Sequence, residues 1–409
     1  MSSLRRSLHR AIGMRVAVPL LLAIPAAAAA QGQPAAKTRV VVLGVTHSNQ
    51  LVAESYQPAV FRAFFNRVRP AAVCVERDPD SFARGSHHEF TYEIQHIALP
   101  WAEERGVPVH PFDWYAPPGD ELLGLGMTWD PPPAVRRRGA PQNFLTFGDS
   151  AALGLPFFYA ESDSVRKDYR DWYDAVPERA SIDFARRLFL YRTFLQARRA
   201  AAAAARYPGR TVLVVVGSYH AEDIERILAD DPRFELARPS SFGLPEGEEV
   251  EKEVRGGDLF AIAAYNLLGA QARQGPVDWE WVRRVVARLA REQGTPEVAL
   301  LQTRLAVLTG ELAPAAALAR YEELARRADA DARFTWDGVR DRSRLDSYFD
   351  PFGNLTVARR ALLEAAREHG KLGHAGPAAE LRRRLEAGLS PLQRAQLAAY
   401  WEDWLAGMR

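Results

Sequence analysis

An α/β fold is predicted, with a mainly parallel central sheet flanked by helices and an appended all-helical C-terminal region. Three observations predict it. Over residues 38–245, short β-branched runs alternate with helical spacings in a β-α-β-α-β order, the arrangement that builds a parallel sheet. The runs are apolar throughout and not alternating, as strands buried on both faces require. From about residue 256 the strand-like runs stop, and Ala, Leu, Arg and Glu recur at 3.6-residue spacing.

The first thirty residues read as an export signal. Arg5, Arg6, Arg10 and Arg15 form a basic leader, Val16 to Pro25 is a short apolar stretch, and Ala26 to Ala30 supply the small residues of a cleavage site before Gln31. A Sec-type signal fits best, and Arg5-Arg6 keeps a twin-arginine signal open beside it. The expected location is periplasmic or secreted. No later stretch reaches about 18 apolar residues, so no stable membrane span is expected after cleavage. The single cysteine, Cys74, sits in the apolar run Ala71 to Val75 and reads as a buried small hydrophobe rather than half of a disulfide. With 53 basic against 51 acidic side chains the formal charge is only +2, which gives no electrostatic case for nucleic acid as a partner.

The elements follow in order. Arg39 to Leu43 is a strand closed by Gly44. Residues 57–69 carry helical spacing (Val60, Phe61, Phe64, Phe65, Val68) and stop at Arg69-Pro70, since the residue before proline is pushed out of the α region. Ala71 to Val75 is a strand ending at Glu76, residues 90–105 a helix, and Val107 to His110 a short strand ending near Asp113. Residues 115–150, rich in Pro and Gly, read as an insertion that is either a lid or a surface loop. Residues 179–206 form a long helix broken at Pro208-Gly209, Thr211 to Val216 is the strongest strand, residues 221–230 a helix, and Phe234 to Leu236 a last short strand. Helical segments then fall near 258–273, 278–293, 296–309, 313–328, 355–369, 375–387 and 391–407. An aromatic loop over 330–353 (Trp336, Tyr348, Phe349, Phe352) is expected to pack across them. The domain reading is a signal peptide at 1–30, an α/β domain at 38–245 and a helical domain at 256–409.

Two segments of the chain are alike. Val40-Val41-Val42-Leu43-Gly44-Val45-Thr46-His47 and Leu213-Val214-Val215-Val216-Gly217-Ser218-Tyr219-His220 are each apolar strand, Gly, two residues, His. Gly permits a tight exit from the strand, and each His then falls at the carboxyl edge, where open α/β sheets bind ligands. Glu76 follows its strand to the same edge. Two imidazoles and a carboxylate suit a divalent metal or metal-free acid/base chemistry. Asp113 is a further candidate at that edge. His87-His88-Glu89 reads as a solvated pair, and Glu93 with His96 as one helix face. Ser218 is not in a G-x-S-x-G elbow, and no phosphate-binding glycine loop or HExxH is present.

Strand-GxxH, strand-Glu, a helix carrying Arg, then strand-GxxH resembles the TraB/TIKI family, related in fold to ChaN-type haem-binding proteins and the erythromycin esterases. The resemblance covers roughly residues 38–243. Arg192, 28 residues before His220, stands where the family has an Arg-Asn pair, but Thr193 follows it here, and Ser218-Tyr219 stands in the second GxxH where the family commonly has Ala-Gly. The resemblance implies a metal-dependent hydrolase, metalloprotease- or esterase-like, with manganese- or cobalt-like ions. In that reading His47, Glu76 and His220 hold the ion and Arg192 stabilises an oxyanion or a substrate carboxylate. Without metal, His47 and His220 serve as base and acid, with Glu76 orienting one of them. The alternative is a non-catalytic haem- or small-ligand-binding protein using the same cleft, with Tyr219, His220, Tyr92 and His96 around it. A third reading makes the C-terminal helices a protein-interaction surface.

Overall fold

The structure, a computed structural model, describes residues 36–125, 132–137, 143–175, 180–401 and 403. The residues read as an export signal and parts of the 115–150 insertion lie outside the described residues. The α/β part runs β1 (Thr38–Val45), α1 (Pro58–Val68), β2 (Ala72–Val75), a π-helix (Glu93–Ala98) continued by α2 (Leu99–Glu104), and β3 (Val109–Pro111). It then runs α3 (Asp163–Asp174), α4 (Ala180–Ala204), β4 (Thr211–Gly217), α5 (Ser218–Ala229) and β5 (Phe234–Leu236). The strands form one all-parallel sheet in the order β3-β2-β4-β1-β5.

That order positions the site. β4 lies between β1 and β2, so the segments leaving those three strands are neighbours at one edge. The register pairs Val45 with Gly217 and Val75 with Val215, which sets Glu76, one residue past Val75, level with the end of β4.

Continuous apolar runs were read as doubly buried strands, and they are. Val41, Leu43 and Val45, with Val73, Val75, Leu213 and Val215, face one core, while Val40, Val42, Ala72, Cys74, Val212, Val214 and Val216 face the other. The second core is closed by Ala197, Ala200, Ala201 and Ala204 of α4 and by Ile224 and Leu228 of α5. Alanine on the buried side of α4 lets that helix sit close to the sheet, which accounts for the Ala-rich stretch. The first core is closed by α1 and continues into the C-terminal helices, so sheet and helices share one apolar interior.

Those helices are α6 (Gly256–Leu267), α7 (Trp279–Glu292), α8 (Pro296–Leu308), α9 (Pro314–Arg327), α10 (Val357–Lys371), α11 (Ala375–Glu386) and α12 (Pro391–Trp401). No helix among the described residues is long and apolar enough to cross a membrane. The aromatic loop packs as expected: Phe349 meets Tyr265 of α6 at 5.5 Å between ring centres, and Phe352 meets Tyr400 of α12 at 6.1 Å. Helix α3 was not among the expected elements, and two expected helices near the site differ in form. The helix expected over 90–105 is interrupted by a π turn. Pro100 has no N–H to donate to the carbonyl of His96, and that carbonyl accepts from Arg62 Nη2 at 2.9 Å instead. The helix expected from 221 begins at Ser218, so His220 lies in a first helical turn rather than in a loop.

Cys74 is fully buried on the sheet, and burial pushes its thiol up to about 12. It is expected to resist a thiol-specific reagent at pH 8 in the native protein and to react, one thiol per chain, once the protein is denatured. Rapid labelling of the native chain would show that this strand face is open.

Candidate functional site

The chain after β1 carries His47 into the edge and then turns at Ser48, a buried non-glycine residue at φ 60. The Ser48 hydroxyl donates to the carbonyl of Phe90 at 2.7 Å, which ties this turn to the segment before the π-helix. The π-helix opens with Glu93, whose Oε1 lies 2.7 Å from His47 Nδ1. His47 Nε2 is thereby turned toward Glu76 Oε2, 3.8 Å away.

His220 is held in the same manner from the other side. Thr193 Oγ1 of α4 donates to the carbonyl of Phe189 at 3.0 Å, so it accepts from His220 Nδ1 at 2.6 Å. This puts the proton on Nδ1 and leaves Nε2 bare, 3.5 Å from Glu76 Oε1. The ring of Phe189 stacks on His220, centres 4.2 Å apart and planes 6° apart.

Glu76 sits between the imidazoles, 4 % exposed. Its Oε2 accepts from the Gly217 N–H at 2.5 Å, and its Oε1 from Arg192 Nη2 at 2.8 Å. The requirement for glycine at 217 is one of space, not of backbone angle. A Cβ there would stand 3.1 Å from His47 Nε2 and 3.2 Å from Glu76 Oε2, whereas neither Gly217 nor Gly44 has positive φ.

Arg192 is engaged through Nε and Nη2. It forks onto Asp113 through Nε at 2.8 Å and Nη2 at 2.7 Å, and the Tyr115 ring covers its face at 5.3 Å. Asp113, fully buried, also accepts from Gln196 Nε2 at 2.7 Å. Burial acts to raise the Asp113 carboxyl, but Arg192 and Gln196 outweigh it and hold it at about 2.

The two imidazoles are driven apart electrically. Burial pulls His47 down, but Glu93 and Glu76 outweigh burial and lift it to about 9. His220 is pushed well below the ordinary range by burial and by the charge of Arg192. Burial raises Glu76, against the pull of Arg192 and His47.

His47, Glu76, Arg192 and His220 line a cavity of about 300 Å³. Its other lining residues are mainly aromatic: His88, Phe90, Tyr115, Tyr169, Phe189 and Tyr219.

The structure thus brings His47, Glu76, His220, Arg192 and Asp113 together. His88 corrects the sequence reading. It is half-buried in the cavity wall, with Nε2 2.9 Å from Tyr115 Oη, while Glu89 accepts from the backbone N–H groups of Arg340 and Tyr348. Glu93, read as half of a helical pair with His96, is instead the partner of His47. His96 and Tyr92 do not line the cavity, and Tyr92 Oη donates to Asp258 at 2.7 Å. Sequence reasoning missed Thr193, Phe189, Phe90 and Tyr169. Thr193 had a signal, since it stands where the resembling family has Asn, a residue equally able to hold an imidazole. Among the described residues, no group of three or more His, Cys, Asp or Glu side chains stands ready-formed to hold a metal ion.

Fold and site define an α/β protein with a histidine–carboxylate centre at the carboxyl edge of a parallel sheet. Comparison with protein-family models, with curated proteins and with solved structures finds no match to the chain.

Proposed function

We propose that this chain is an exported hydrolase of a peptide, ester or related carbonyl substrate, related to the TraB/TIKI family. In this reading it works with a manganese- or cobalt-like divalent ion held by His47, Glu76 and His220. One observation carries the proposal. Each imidazole has its Nδ1 fixed by an acceptor, Glu93 or Thr193, and turns its Nε2 toward one oxygen of the same buried carboxylate. Metal-binding histidines are oriented by this kind of Nδ1 partner. Charge agrees: Glu76, Glu93 and Asp113 stand against Arg192 alone once His47 is neutral, leaving an excess that a divalent cation balances.

A bound divalent ion supplies an activated water and polarises a carbonyl. The chain's own residues supply the rest. Glu93 and Thr193 fix the ring orientations, and Gly217 leaves room for His47 Nε2 and Glu76 Oε2. Asp113 holds Arg192 against Glu76 and neutralises much of its charge, so Arg192 acts as a positioning group more than as a free anion receptor.

A metal-free reading is favoured by a separate observation, the opposite shifts of the two imidazoles. Paired groups pushed apart in this way mark an acid and a base. His47 would then be the acid and His220 the base, the reverse of the order read from the sequence, and activity would survive a chelator. The haem reading has less support, because Tyr92 and His96 face away from a cavity at the small end of the ligand-site range.

Glu93→Gln tests the metal reading without touching a ligand. The amide still accepts from His47 Nδ1 but carries no charge. Affinity for manganese or cobalt is expected to fall roughly 10–100-fold, read by metal titration, with the melting temperature little changed. Unchanged affinity would remove the assigned role of Glu93.

A further inference from the structure

The walls above the reacting groups bear on what the cleft accepts. Phe90 carries His88 stacked on it, centres 5.0 Å apart and planes 11° apart. Tyr169 stacks on Tyr219 at 4.0 Å and 27°, and Phe189 lies flat on His220. The aromatic lining continues outward: Tyr219 is 46 % exposed, and Trp172, 41 % exposed, packs edge-on against it. Ring surface is thus offered at the mouth as well as inside.

The polar groups of these walls are neutral. Thr46 Oγ1 donates to Tyr159 Oη at 2.5 Å, and Tyr169 Oη shares a hydrogen bond with Ser218 Oγ at 2.8 Å. Thr46, Ser218 and Tyr169 all line the cavity. Thr46 gives its one proton to Tyr159, but one hydroxyl of the Tyr169–Ser218 pair keeps a proton that it can donate to an uncharged carbonyl or ether oxygen.

Cationic help for an anion is limited to His47 and Arg192, and each already faces carboxylates, His47 those of Glu93 and Glu76 and Arg192 those of Asp113 and Glu76. Arg192 is the guanidinium among the lining residues; its Nε and Nη2 donate to Asp113 and Glu76, and the Tyr115 ring lies on its face. A carboxylate or phosphate placed here would meet Glu76, with Glu93 and Asp113 buried behind it. A charge desolvated without a partner is strongly disfavoured.

We propose that the cleft selects uncharged carbonyl compounds bearing an aromatic ring, with the ring against Phe90, Tyr169 and Phe189 and the carbonyl toward the hydroxyl pair of Ser218 and Tyr169. The cavity volume of about 300 Å³ suits one ring and its attached carbonyl group. As a statement about substrate it rests on the hydrolase reading; as a statement about ligand class it does not.

The test is equilibrium binding of benzamide, cyclohexanecarboxamide and benzoate to the full chain in the presence of a chelator, so that no carboxylate–metal contact contributes. Benzamide is expected to bind roughly tenfold more tightly than cyclohexanecarboxamide, the size of effect that one or two aromatic contacts give. It should also bind more tightly than benzoate. Phe90→Leu is expected to erase the preference for the ring, and Tyr169→Phe, which keeps the ring, to retain it. Equal binding of the cyclohexyl amide, equal or tighter binding of benzoate, no binding of any of the three, or an intact preference in Phe90→Leu would each overturn the inference. Benzamide binding by a chain that takes up no metal would leave this inference standing and count against the metallohydrolase reading alone.

Discussion

Glu76→Ala is expected to lower affinity for manganese or cobalt by more than roughly 100-fold. Removing a partner that merely orients a ligating histidine costs roughly 10–100-fold, and Glu76 would be a ligand itself. It also faces both imidazoles, His47 Nε2 at 3.8 Å and His220 Nε2 at 3.5 Å. The variant should remain folded, because Arg192 keeps its two contacts to Asp113 and the burial that raises the Glu76 carboxyl is itself unfavourable to its charge. Metal titration beside thermal unfolding checks both halves. A folded variant that binds metal as the parent does would remove Glu76 from the set.

The second large effect falls in the helical region. Glu364 of α10 is fully buried among three arginines. Arg367 Nη1 lies 2.7 Å from each of its oxygens, Arg360 Nε 3.0 Å from Oε1, and Arg304 Nη1 of α8 3.5 Å from Oε2. Burial acts to raise this carboxyl, and the three guanidiniums outweigh it, holding it well below the usual carboxylate range. Glu364→Gln leaves those cations short of their counter-charge, and breaking a buried ion pair in this way costs about 3–5 kcal/mol. For a chain of this length that is a fall of roughly 5 °C in melting temperature. The sign with pH follows from the depressed value. The contribution of Glu364 is complete above the ordinary carboxylate value near 4.3 and is lost as pH falls through the folded value. The gap between parent and variant should therefore narrow on acidification below about pH 4. A gap of the same size at pH 7 and pH 3 would contradict this account of the cluster.

What was legible in the sequence was whatever depends on local pattern. Val40 to Leu43 and Val212 to Val216 announced doubly buried strands because both faces of each are apolar. The repeated GxxH announced two strand-end histidines, and Glu76 could be added because it ends a third run. What was not legible depends on how distant segments meet. Nothing near His88 marks it as a wall residue: it enters the cavity because Tyr115 and Phe90 close around it. Arg192 read as a free cation, and only the fold brings Asp113, 79 residues earlier, onto its fork. Helix α3 carries Tyr169 into the site, and its pattern was there to be read: Val165, Tyr169, Trp172 and Tyr173 fall at i, i+4, i+7 and i+8 between charged residues, one apolar face that the sequence reading passed over. The π turn at Glu93 was hidden, since the residue responsible, Pro100, lies seven positions on.

The central claim is that His47, Glu76 and His220 together hold a divalent ion, and metal content tests it most directly. The purified chain, exchanged into metal-free buffer after reconstitution with manganese or cobalt, would be measured by elemental analysis beside the His47→Ala/His220→Ala variant. Near-stoichiometric metal in the parent, lost in a variant that is still folded, is the result expected. No metal in either protein after reconstitution, or equal metal in both, would contradict the claim.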